Sequence, residues 1–185
     1  MGGTFDPIHY GHLIMAESVM HLVNADGMLF VPARSHPFKL HERLSEYDDR
    51  AEMVRLAIEG NGRFRLEAPP EGSCYTIDLI HFLRERCPTA AFFLPVGSDI
   101  IEEFHAWHKH EDIERNIRIV IAARPGYKVK AGNNNALEAA EWVMIPQYDM
   151  SSTEIRKRVR LHLSIKYMVP DAVVKYISRE GLYAG

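Results

Sequence analysis

Apolar positions recur along this chain in two forms, short continuous runs and longer stretches at helical spacing. In residues 11–24, Leu13, Met15, Ala16, Val19, Met20 and Val23 fall near a 3.6-residue period and predict a helix. The short apolar run 27–32 predicts a buried strand, and the polar, irregular stretch 33–45 a loop. A helix is expected from about 46 to 59, with Met53, Val54, Leu56, Ala57 and Ile58 turned inward. Ser45 and Asp48 have the spacing of a capping box at its start, and Gly60-Asn61-Gly62 stops it. Further on, the pattern predicts a strand at 64–67, a loop at 68–72 and a helix at 76–86 with Ile77, Leu79, Ile80, Phe82 and Leu83 on one face. Next come a strand at 91–96, with Pro95 expected near its end, a loop and short helix opened by residues 97–99, and a second helix at about 111–115. Strands at 118–123 and 142–146 flank an exposed loop at 127–135. The chain closes with a helix capped by Ser151 and running to about 160, then one that starts at Pro170 or Asp171 and ends at Gly181.

Strands alternating with helices define an α/β chain: a doubly wound parallel sheet with helices on both faces, as one domain over 1–185. The part from about 151 to 185 is its helical end. Ligands of such sheets bind at the carboxyl ends of the strands, where loops lead into helices. The polar clusters 3–12, 33–39, 97–99 and 151–156 all fall at such places, so residues distant in sequence are expected to share one cleft.

Composition narrows the classes. With 185 residues, 46% of them hydrophobic, the chain has enough apolar content for a full core. A formal net charge of −3 gives no sign of a nucleic-acid binder. No apolar run is long enough for a membrane span, so a cytoplasmic protein without membrane contact is the expectation. Cys74 and Cys87 form no metal-ligand or redox pattern and read as reduced thiols.

The densest chemistry lies in Gly3-Thr4-Phe5-Asp6-Pro7-Ile8-His9-Tyr10-Gly11-His12, a loop that turns into a helix. Gly11 allows close approach of backbone to ligand, and His12 sits at the first turn, where N–H groups and the helix dipole favour anions. His9 and His12 can each donate to a phosphate oxygen as charge develops. His105, His108 and His110 read as a polar helix–loop rim, and no metal site of the protein's own is expected.

This loop, together with Ser151-Ser152-Thr153-Glu154-Ile155-Arg156, resembles the two signatures of the Rossmann-like nucleotidylyltransferase superfamily, and within it the bacterial nicotinate-nucleotide adenylyltransferases. The likeness runs from Gly2 to Tyr183 through Pro37-Phe38-Lys39, Ser73-Cys74-Tyr75-Thr76, Gly97-Ser98-Asp99, Ala106-Trp107, Arg124-Pro125-Gly126-Tyr127 and Gly181-Leu182-Tyr183. The resemblance implies transfer of the adenylyl group of ATP to nicotinate mononucleotide, without a covalent intermediate. It implies a magnesium ion on the ATP phosphates, held by substrate and water. His9, His12, Lys39 and Arg156 would be catalytic. Gly3, Thr4, Phe5, Gly97, Asp99, Arg124, Ser151 and Ser152 would join His9, His12 and Arg156 in binding ATP. Thr4, Lys39, Tyr75, Thr76 and Trp107 would bind the pyridine nucleotide. Several have a competing structural role: an exposed lysine for Lys39, an N-cap for Asp99 and Ser151, core packing for Trp107, a surface arginine before a turn for Arg124. Alternative acceptors are nicotinamide mononucleotide and phosphopantetheine, and a non-catalytic nucleotide sensor is the rival of another class. A homo-oligomer stays open.

One departure stands out. The family loop follows about six apolar residues that form a central strand, and here only Met1 and Gly2 precede Gly3. That first strand is expected to be missing, with unpaired edges on its neighbours, and the natural chain is expected to be longer. His108 stands where an aromatic residue is often found.

Overall fold

The computed structural model describes residues 1–34, 44–72, 75–123, 140–146 and 149–184. Strands β1 (Gly2–Gly3), β2 (Met28–Pro32) and β3 (Phe64–Leu66) form one parallel sheet, in that order. Strands β4 (Phe93–Gly97), β5 (Arg118–Ala123) and β6 (Glu141–Met144) form a second. Helices α1 (Tyr10–Leu22), α2 (Tyr47–Ile58), α3 (Thr76–Arg86), α4 (His110–Asn116), α5 (Ser152–Arg160) and α6 (Asp171–Glu180) cover them. The expected α/β pattern of parallel strands flanked by helices is the observed one.

The strands are apolar because both faces are covered. In β2, Met28, Phe30, Val31 and Pro32 are buried, and in β5 every residue after Arg118 is. One core gathers Met20 of α1, Met53 of α2, Phe30, Val120, Ile155 of α5 and Ile177 of α6. A second lies between α3, α4 and the β4–β5 face, around Ile77, Phe104, Ile113 and Ile121. Gly181 ends α6 at φ 63°, a left-handed position that costs glycine little.

The first strand is not wholly missing, which corrects the expectation. Gly2 and Gly3 pair in parallel with Val31 and Pro32, and the Met1 amine donates to Leu29 O at 2.7 Å. This two-residue strand is too short to join the halves: among the described residues, β1 pairs with β2 and β4 with β5, and no ladder links β1 to β4. Pro95 lies in the middle of β4, not at its end. A proline is tolerated there because β4 is an edge strand of its sheet. The Ser45 capping box does not form either. Glu46 is the N-cap of α2 without a side-chain bond, and Ser45 stands one residue before it, its backbone N–H donating to Asp6 and its C=O accepting from Arg50.

Candidate active site

A cavity of about 820 Å³ opens between the two sheets at the carboxyl ends of the strands. Its walls bring together Gly3, Thr4, His9 and His12 from the first loop with Ser151, Ser152 and Arg156 from the start of α5. Across it stand Gly97 at the end of β4, and Tyr75, Thr76 and Trp107. Phe5 is placed differently: its side chain is 1% exposed and belongs to the core, packed edge-on to His12 at 5.1 Å and against Phe30. It supports the His12 ring from within, and the core holds it at φ 50° despite its bulk. The expectations for Lys39 and Arg124 lie outside the described residues, as does the side chain of Asp99, whose backbone sits in the 3-10 turn Ser98–Glu102.

The first loop is shaped around its imidazoles. His9 is the N-cap of α1, and its ring stacks on that of His12 with centroids 3.7 Å apart. A Cβ on Gly11 would lie 2.9 Å from His9 Nδ1, so the glycine makes room for the ring. The His9 N–H donates to His12 Nδ1 at 3.2 Å. With Nδ1 accepting, a neutral His12 carries its proton on Nε2, which makes that nitrogen the donor. Burial, and then the charge of His9, hold the His12 pKa well below its usual value. The ring is therefore neutral at neutral pH and offers Nε2–H as a hydrogen-bond donor.

The second signature docks on the first. Ser152 Oγ donates to Pro7 O at 2.9 Å across 145 residues of sequence, and Arg156 Nη1 donates to Asp6 O at 2.8 Å. Ser151 caps α5, accepting from Glu154 N at 3.2 Å, so its structural role is realised. The start of α5 thus presents backbone N–H groups and Arg156 beside the N-terminus of α1, two helix ends that favour anions. At the other end of the cavity, half-buried Trp107 leans on Phe104 at 5.4 Å while lining the wall. It packs against the core and faces the cleft at once. Tyr75 and His108 stack at 4.2 Å beside it. The aromatic expected in place of His108 is thus replaced by an imidazole in a ring stack.

Sequence reasoning missed Arg50, whose guanidinium is 1% exposed and holds the loops beneath the cavity. The signal was there: Arg50 precedes Met53 and Val54 by three and four residues, on the inward face of α2.

A parallel α/β fold with two helix ends that favour anions and paired histidines at the strand ends is that of a nucleotide-handling enzyme. Residues 1–158 match the cytidylyltransferase-like family, and the chain belongs to that family. It is 36% identical over 185 residues to the nicotinate-nucleotide adenylyltransferase of Bacillus subtilis strain 168, covering 98% of this chain and 95% of that one. Its fold matches the Plasmodium falciparum nicotinic acid mononucleotide adenylyltransferase complexed with NaAD, with a TM-score of 0.80, 23% identity and 98% and 94% coverage. The same Plasmodium enzyme complexed with APC matches with a TM-score of 0.77 at 22% identity.

Proposed function

We propose that this chain transfers the adenylyl group of ATP to nicotinate mononucleotide, giving deamido-NAD and pyrophosphate in NAD biosynthesis. The observation that carries the reading is the meeting of the two signatures, Ser152 and Arg156 bonded to the backbone of the His9–His12 loop. A likeness over nearly the full chain to the B. subtilis enzyme supports it.

An oxygen of the 5′-phosphate of nicotinate mononucleotide attacks the α-phosphorus of ATP in line. The new P–O bond forms as the bond to the β-phosphate bridging oxygen breaks, and that electron pair leaves with pyrophosphate. The protein's part is positioning and charge stabilisation. His12 Nε2–H donates to the transferring phosphoryl group, with His9 stacked behind it. The first-turn N–H groups of α5 and the Arg156 fork hold the leaving phosphates. Lys39 adds a further charge, and Asp99 and Arg124 attend to the nucleoside. Thr76 donates to the pyridine carboxylate and Trp107 stacks on the ring. A magnesium ion fits this site as one carried by the triphosphate: the described phosphate end offers N–H and O–H donors, which suit an anion bringing its own counterion. When bound, it neutralises charge on the phosphate oxygens. We place the reaction in the cytoplasm; no described helix is long and apolar enough to cross a membrane.

The test is pyrophosphate release from ATP, alone and with nicotinate mononucleotide or phosphopantetheine. Release that requires nicotinate mononucleotide is expected. ATP binding without release under any acceptor would place the chain among nucleotide sensors.

A further inference from the structure

The loop that carries His9 and His12 is held from below by groups that do not line the cavity. The Asp6 carboxylate is 1% exposed. Its Oδ1 accepts from Tyr183 OH at 2.5 Å and its Oδ2 from Ser45 N at 3.2 Å. Arg50, equally buried, donates from Nη1 to Thr4 O at 2.8 Å and to Ala33 O at 2.7 Å, and from Nε to Ser45 O at 3.0 Å. Tyr183 reaches Asp6 because Gly181 turns the chain at the end of α6. We propose that Asp6, Arg50 and Tyr183 form a buried clamp that positions the phosphate loop for adenylyl transfer. Resting on the function proposed above, it makes Arg50 and Tyr183 positioning residues for that reaction.

Geometry gives the clamp two effects. In a trans peptide the C=O and the following N–H point opposite ways, so a Thr4 carbonyl fixed on Arg50 turns the Phe5 N–H to the other side of the loop. Thr4 lines the cleft there. The same guanidinium holds Ala33 O and Ser45 O, which lie on either side of residues 35–43. One side chain therefore ties the His9–His12 loop to the residues on either side of 35–43. The fork is needed, since lysine cannot donate in three fixed directions to these carbonyls. Burial pulls the Arg50 pKa down and the nearby Asp6 charge opposes this, while burial and Asp6 push the Tyr183 phenol up, so Tyr183 stays a donor.

The experiment compares Tyr183→Phe and Arg50→Lys with Tyr176→Phe, each assayed where circular dichroism shows it folded. Tyr176 donates to Asp49 at 2.9 Å between α6 and α2, so its variant loses a similar bond away from the phosphate loop. Tyr183→Phe and Arg50→Lys are expected to lower kcat at least about tenfold with KM for nicotinate mononucleotide within about twofold, while Tyr176→Phe keeps kcat. Unchanged kcat in both clamp variants, or an equal loss in Tyr176→Phe, overturns the proposal. Should the unaltered protein transfer to no acceptor, the functional reading fails by itself. The clamp is then read from ATP binding, which Tyr183→Phe must weaken at least about fivefold and Tyr176→Phe must not; equal affinities overturn it.

Discussion

Moving the Met1 amine out of the fold should change how stability depends on pH. In the 185-residue chain this amine is held against Leu29 O, and burial lowers its pKa from 8.0 to about 5. The folded state therefore binds fewer protons than the unfolded state between those values, and stability rises with pH across the window. A proton held only by the unfolded chain costs the fold about 1.4 kcal/mol at pH 7, and the unfolding free energy should fall by about 1.6 kcal/mol from pH 8 to pH 6.5. The perturbation is an extension of four β-branched residues ahead of Met1. With Gly2 opposite Val31, such residues continue β1 along β2 towards Gly27, in the cavity that Leu94 and Val96 of β4 also line. The amine then leaves the fold. Urea unfolding at pH 6.5, 7 and 8 on both chains is the assay. The extended chain should show a flatter profile and gain at least about 1.4 kcal/mol at pH 7. A flat profile in the 185-residue chain, or an equal slope in both, would refute the reasoning.

Three further outcomes are expected. Below pH 6.5 the depressed His12 adds to the loss, because the unfolded histidine gains a proton that the folded one refuses; His12→Gln should remove that steepening in urea titrations, and an unchanged curve would count against a neutral buried ring. His12→Ala should lower turnover by at least about two orders of magnitude if the ring stabilises the transferring phosphoryl group, and an unchanged rate removes it from the mechanism. Trp107→Ala should raise KM for the pyridine nucleotide about tenfold and leave KM for ATP in place; a rise for ATP instead would move the tryptophan to the other subsite.

The fold was legible where local pattern decides it. Apolar β2, and β5 after Arg118, read as buried strands, the 3.6-residue spacing of α1, α2 and α3 was plain, and Ser151 and Gly181 marked helix ends that the structure places close by. Long-range partners decided the rest. Pro95 sits mid-strand because β4 is an edge, which depends on what lies beside it. Ser45 lies one residue ahead of the N-cap Glu46, where its backbone N–H and C=O are bound to Asp6 and Arg50. The cleft was foreseeable because two signatures and the strand ends had to meet. Its support was hidden, since Asp6, Arg50 and Tyr183 come from three distant segments and only a buried arginine on an apolar helix face hinted at them. Phe5 shows that a residue inside such a motif can give its ring to the core.

The central claim is tested most directly by steady-state pyrophosphate release with ATP and either nicotinate mononucleotide or nicotinamide mononucleotide. The proposed role of Thr76 and its neighbouring N–H donors in bonding a carboxylate predicts release with the acid at a kcat/KM at least about tenfold above that with the amide. Release with neither acceptor, or a preference for the amide, would contradict the account.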